Sequence, residues 1–132
     1  MPAPRLSRLE LGIMETLWAR GEASIRDIQE AFPVASPKKP RPSYGTIQTT
    51  IYRMEEKRIV RRTRKLGNFH LFAPLVSRDA AQLRLIDELL AMLGGRSELV
   101  VMHLAKSGRL KLEDIKEAER ELRRLAGKEP QQ

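Results

Sequence analysis

Cysteine is absent from this 132-residue chain, which removes disulfides, thiolate nucleophiles and cysteine-ligated zinc at one stroke. Histidine is nearly as scarce: His70 and His103 are the only two, and neither has a carboxylate beside it at a metal-ligand spacing. His70 falls in a strand near cations and His103 in an apolar helix, so both read as structural or solvated, and no metal, cofactor or enzymatic activity is expected. Aromatic side chains are only 5% of the residues, and Trp18, Tyr44 and Phe72 are too scattered for a platform on which single-stranded bases stack. No apolar run approaches the roughly 20 residues that cross a bilayer. The opening MPAPRLSRLE also lacks the apolar stretch of a secretory signal. A cytoplasmic protein without membrane insertion is expected.

Positive charge, by contrast, is plentiful and unevenly placed. Lys and Arg number 25 against 17 Asp and Glu, a net charge of +8. Residues 1–76 hold 14 basic and 7 acidic side chains, whereas residues 77–132 hold 11 and 10. An excess confined to the front half suits a densely negative partner, nucleic acid most commonly, with anionic lipid its rival. With 41% hydrophobic residues the chain has material for one modest core or two small ones.

Ser7 and Glu10 are spaced as a capping box with Leu6 ahead of them, and Leu9, Ile13, Met14, Leu17 and Trp18 recur at helical intervals. This predicts a first helix to about Arg20, closed by Gly21. Ser24 with Asp27 opens a second, shorter helix whose Ile25, Ile28 and Phe32 share a face and which Pro33 terminates, so the two helices are joined by a short turn. Residues 33–42 carry four prolines with Lys38, Lys39 and Arg41, a basic, semi-stiff loop read as a solvated connector. Ser43 caps a third helix in which Ile47, Ile51 and Met54 form one core stripe, leaving Thr46, Thr49 and Arg53 on another face. Ile59 to Lys65, a Leu66-Gly67-Asn68 turn and Phe69 to Phe72 read as a hairpin. Three helices followed by a hairpin is the order of a winged helix.

Behind it, Ser77 and Asp79 open a segment with a broad apolar stripe of Leu83, Ile86, Leu89, Leu90 and Leu93, broken by Gly94 and Gly95. Ser97 is expected to cap a short helix over residues 98–106. A last helix from about Leu112 to Ala126 carries Ile115, Leu122 and Leu125 along one side. Three short helices bury little by themselves, and burial against a second copy is the economical solution. The expected architecture is mainly α with a small β-hairpin wing: a winged helix-turn-helix DNA-binding domain over residues 1–76, then an α-helical dimerisation domain over residues 77–132. Its dimerisation residues are Leu83, Ile86, Leu89, Leu90, Leu93, Ile115, Leu122 and Leu125.

A helix of this length fits the major groove, where side chains near its N-terminus meet base edges, and that geometry selects Ser43, Tyr44, Thr46 and Thr49. A threonine methyl can touch the thymine 5-methyl group, while Arg53, a turn further on, is better placed for phosphate. Gln48 could pair with adenine but lies at another angle around the helix and ranks lower. Arg61, Arg62, Arg64 and Lys65 lead into the hairpin tip and Asn68 and His70 leave it, the composition of a wing that reaches phosphates or a minor groove.

Leu6, Glu10, Ile13, Met14, Leu17 and Trp18, then Gly21 and Ser24-Ile25-Arg26-Asp27-Ile28, then Thr46-Ile47, Thr49, Arg53-Met54 and Lys57, and finally Phe72 and Pro74-Leu75-Val76-Ser77 together resemble the penicillinase-repressor (BlaI/MecI/CopY) family. The likeness covers most of residues 6–77, and residues 78–126 are similar in helical pattern only. It implies a homodimeric transcriptional repressor that occupies a palindromic double-stranded operator, with Thr46 and Thr49 in the major groove and Arg53 on the backbone. It also implies release by a sensor-linked signal through a membrane sensor-protease pathway. Three departures stand out. Arg58 replaces the glycine usual after the recognition helix, and because such a residue resists positive φ the helix-to-wing junction is expected to differ. Met102 and His103 stand at the equivalent of an Asn and Phe pair cut in penicillinase-type members, so release by proteolysis is left open. The copper-responsive branch carries a C-terminal cysteine motif that this chain lacks. The alternative reading is a winged-helix protein-protein interaction module, told apart by failure to bind duplex DNA of any sequence.

Overall fold

Two serines, each followed three residues later by a carboxylate, start the first two helices of the computed structural model, which describes residues 3–33, 38 and 40–128. Helix α1 (Arg8–Arg20) begins where the Ser7 Oγ accepts the Glu10 N–H at 3.1 Å and the Glu10 carboxylate accepts the Ser7 N–H at 2.9 Å. It ends on Gly21, whose φ of 85° is open to glycine at little cost. Helix α2 (Ile25–Ala31) repeats the device with Ser24 and Asp27. The Ser24 backbone N–H holds the Asp27 carboxyl below its usual range, so the cap persists in mild acid.

The short turn expected between these helices contains a strand, β1 (Ala23–Ser24), which pairs antiparallel with the later strand β3 (Phe69–Pro74) in the register Ala23 to Phe72 and Ser24 to Leu71. Strand β2 (Val60–Leu66) lies on the other side of β3, giving the sheet order β1-β3-β2. The hairpin therefore runs two residues beyond the expected Phe72, and its turn narrows to Gly67 and Asn68, with Gly67 at φ 59°. Of the proline-rich loop, residues 34–37 and 39 lie outside the described residues. At its end the Gln29 side-chain amide donates to the Pro42 carbonyl at 3.3 Å.

Helix α3 (Tyr44–Glu56) is capped by Ser43 as expected, and Ile47, Ile51 and Met54 are fully buried. They meet Ile13, Met14 and Leu17 of α1, Ile28 of α2 and Phe72 of β3 in one core. Burying each such side chain stabilises the fold by about 1.5–3 kcal/mol before ordering entropy is counted. Trp18 packs at the margin and donates its indole N–H to the Val76 carbonyl at 2.9 Å. This set of helices and antiparallel strands is a winged helix.

The junction after α3 overturns an expectation. Arg58 adopts φ 62° although it is not glycine. The Arg58 N–H donates to the Glu55 carbonyl and the Ile59 N–H to the Met54 carbonyl, at 3.0 and 2.9 Å, the reciprocal bonds that close a helix through a left-handed residue. Ile59 and Met54 are both fully buried directly after and before the turn. Packing of that pair over-determines the geometry and offsets the roughly 1–2 kcal/mol that the left-handed conformation costs an L-residue.

The chain divides into two compact units, residues 1–89 and 90–132. Most of α4 (Arg78–Met92) belongs to the first: Ser77 Oγ accepts the Ala80 N–H, Ala81 is buried, and the Arg78 guanidinium lies 5.7 Å from the centre of the Trp18 ring. Leu83, Ile86 and Leu89 face outward, at 61%, 52% and 48% exposure. In the second unit, α5 (Ser97–Lys106) starts one residue earlier than expected. Ser97 is itself helical, and Arg96 precedes it in the capping position without a side-chain cap bond. No residue of α5 or of α6 (Leu112–Lys128) is buried among those described. Ile115, Leu122 and Leu125 remain exposed, while Leu90 and Leu93 are half-buried.

Candidate nucleic-acid interface

Helix α3 presents three distinct sides, because 3.6 residues per turn send Ile47, Ile51 and Met54 to the core and leave two flanks free. The outermost flank carries Thr46, Thr49 and Arg53, all exposed. The flank toward the wing carries Tyr44, Gln48 and Tyr52, which line a cleft of about 120 Å³ closed on its far side by Asn68, His70 and Phe72. The expected group is thus divided. Thr46 and Thr49 share a face with Arg53, whereas Tyr44 turns toward the wing.

Hydrogen bonding ranks the hydroxyls of this helix. Ser43 Oγ accepts the Thr46 N–H at 3.1 Å and also bonds the Thr46 hydroxyl at 2.9 Å, so both are engaged at the N-terminus. Thr50 donates to the Thr46 carbonyl at 2.7 Å and is spent on its own helix. The Thr49 hydroxyl has no protein partner among the described residues. Gln48 donates to the Tyr52 hydroxyl at 3.2 Å, which fixes the amide toward the wing.

The basic residues of the wing do not form a single cluster. A register shift in the β2 to β3 pairing between Arg62 and Lys65 breaks the in-out alternation of the strand. Arg62 turns to α3: its Nε donates to both Glu55 carboxylate oxygens, at 3.2 and 2.9 Å, and its guanidinium lies 5.0 Å from the Tyr52 ring centre and 5.5 Å from that of Phe72. Arg64 turns to Glu22, donating from Nε at 3.1 Å and from Nη2 at 2.6 Å, and the Thr63 hydroxyl donates to the same carboxylate at 2.9 Å. The Arg64 hydrogen bonds above all, then that of Thr63, hold the Glu22 carboxyl below its ordinary range. Arg53, Arg61 and Lys65 are exposed and make no ion pair among the described residues.

Sequence reasoning missed Tyr52, Glu22 and Glu55. The first had a signal, since Tyr44, Gln48 and Tyr52 recur every four residues along a second stripe of α3. The two carboxylates had none, because each meets its arginine only through the fold. Just ahead of α3, the Nε of Arg41 is buried without a hydrogen-bond partner among the described residues. No group of three or more metal-binding side chains is gathered, and no helix is long and apolar enough to cross a membrane, among the described residues.

An exposed polar helix face, free cations around it and a cleft between helix and hairpin together suit a polyanion with grooves of defined width. Comparison with known families gives a match over residues 6–124, to the family described as Penicillinase repressor. No curated protein matches the chain.

Proposed function

The chain belongs to the penicillinase repressor family, a family of DNA-binding transcriptional repressors, and from that premise we propose that it acts as a homodimer occupying a palindromic operator in the cytoplasm, without enzymatic activity. One observation carries the reading. Thr46, Thr49 and Arg53 project outward while Ile47, Ile51 and Met54 on the same helix are fully buried, so the polar side of α3 is free for the major groove. Ser43, Tyr44, Thr46 and Thr49 meet bases or the sugar edge nearest them. Arg53, Arg61 and Lys65 meet phosphates, joined by Arg64 when a phosphate displaces Glu22.

Dimerisation is the task of residues 77–132. Leucines that stay at 40–70% exposure on α4 and α6 gain burial only from a partner, and a second copy provides one with matching symmetry. Leu83, Ile86, Leu89, Leu90, Leu93, Ile115, Leu122 and Leu125 are its contact residues. The two recognition helices then address half-sites about one or two helical turns apart, and a sensor-linked signal releases the operator by weakening the pair.

The test is a mobility shift on a duplex selected by the protein from a random library. Raising salt from 50 to 200 mM is expected to weaken binding by roughly a thousandfold, the response of about six neutralised phosphates. A midpoint that barely moves rejects the reading. Leu89→Glu and Leu122→Glu are expected to yield monomers with reduced operator affinity, and an intact dimer in sedimentation after both changes refutes the dimer assignment.

A further inference from the structure

Of the two wing arginines held in ion pairs, Arg62 is the less open to a phosphate, its side chain 37% exposed against 61% for Arg64. The Arg62 Nε is used by both oxygens of Glu55, and its guanidinium lies close to two rings, Tyr52 of α3 and Phe72, its cross-strand neighbour in β3. A guanidinium over aromatic faces is held through its π-surface as well as its charge, so leaving that place forfeits two cation–π interactions and an ion pair. Five residues thereby link three elements. Gln48 bonds Tyr52 on α3, Arg62 of β2 approaches Tyr52 and Phe72, and Glu55 in the last turn of α3 fastens the charged end.

We infer that Arg62 is a positioning residue that fixes the angle between wing and recognition helix, an assignment that rests on the DNA-binding reading and goes beyond it. The backbone link between α3 and β2 is short, running from Lys57 to Ile59, with Arg58 in a left-handed conformation. Such a link sets where the hairpin begins but gives no lateral support nearer the tip. Arg62 supplies that support two residues into β2. Holding the angle lets Thr46 and Thr49 sit in the major groove while Arg61 and Lys65 reach the backbone in the same encounter, so the ordering entropy of these interactions is paid for once. Glu55, an acidic side chain on a DNA-facing module, then has a use: removing it weakens binding although it lessens repulsion of the polyanion.

The experiment compares Arg62→Gln, Arg62→Lys, Glu55→Gln and the double Arg62→Gln/Glu55→Gln on the library-selected duplex, with Arg53→Gln as the phosphate-binding control. Affinity is read across a salt series and thermal melts are recorded for every variant. Each single change is expected to lower affinity roughly tenfold, the size of one clip of cation–π and charge-assisted interactions. The double variant is expected to be no worse than either single one, and lysine, which lacks the planar face, is not expected to rescue. The slope of log affinity against log salt should match wild type for all four, whereas Arg53→Gln should flatten it by about 0.9 for each phosphate left without its cation. A loss of fold stability alone would leave folded Glu55→Gln binding normally. If Arg62→Gln does not fold, Glu55→Gln carries the test, because it leaves Arg62 and both neighbouring rings in place. The inference is overturned if Arg62→Gln flattens the salt slope as Arg53→Gln does, or if folded Glu55→Gln binds as tightly as wild type or more so. Failure of the wild-type protein to select any duplex is a different result, and it overturns the DNA-binding reading with the inference.

Discussion

Gly45 sits in the first turn of α3, and the fold gives no reason for a glycine there. Its φ is not positive, it is exposed, and a Cβ built on it would meet nothing within 4 Å. Glycine in a helix is nevertheless unfavourable, because the unfolded chain gains freedom that folding must remove. Replacing it with alanine where the backbone is compatible stabilises by about 0.4–1 kcal/mol. The first turn belongs at the lower end of that range, so Gly45→Ala is expected to raise the melting temperature of a unit of this size by about 2–4 °C. DNA binding should move the other way. Gly45 is one helical turn before Thr49 on the outward side of α3, and a methyl there meets whatever lies against that side. Overpacking a close interface costs about 1–3 kcal/mol, a reduction of roughly five- to 150-fold in affinity. Thermal melts and mobility shifts on one duplex read both quantities. A lower melting temperature would show that the fold itself needs the glycine. A higher one with unchanged affinity would remove this face of α3 from the DNA interface.

Arg58→Gly is expected to stabilise by about 0.5–1 kcal/mol, the relief of left-handed backbone less the extra freedom glycine has when unfolded. The check is a higher urea midpoint at unchanged slope, and a lower midpoint contradicts it. Gly12→Ala would put a Cβ 2.8 Å from the edge of the half-buried Phe32 ring, which must turn aside, and that cost less the roughly 0.4–1 kcal/mol that alanine gains within a helix is expected to leave a net loss of about 1 kcal/mol. Phe32→Leu beside it should recover part of the deficit in the same denaturation assay. For Glu22 the folded-state carboxyl is depressed, chiefly by Arg64. Its bonds to Arg64 and Thr63 are therefore fully present above the ordinary carboxylate range and are lost as pH falls through the lowered value. Wild type and Glu22→Gln should differ in stability at neutral pH and converge in acid, and a gap that widens toward low pH would reverse the assignment. Released from Glu22, Arg64 should also tighten DNA binding, because no ion pair then has to break before it meets a phosphate.

Local signals were the ones read correctly from the chain. Ser7 with Glu10 and Ser24 with Asp27 state helix starts within four residues, and Ile47, Ile51 and Met54 state a buried stripe by spacing alone. What escaped depends on residues far apart. Strand β1 is two residues long and exists only because Phe72 and Leu71, almost fifty positions later, lie beside it. Arg58 enters a conformation its side chain resists because Ile59 and Met54 are buried around it. At the candidate site, the positive charge was legible but its allocation was not. Arg62 and Arg64 look equivalent in sequence, yet a register shift between Arg62 and Lys65 sends one to Glu55 and the other to Glu22.

The two-residue strand β1 has a consequence for motion. It ties β3 only at Leu71 and Phe72, so the base of the hairpin is stitched to the segment joining α1 and α2 while Leu66 to His70 project past the last stitch. A load applied to the tip therefore bends the ribbon near His70 instead of tilting it from the root. Backbone amides on the two sides of that point should exchange with deuterium on separate timescales, slow at Phe72 and fast at Phe69.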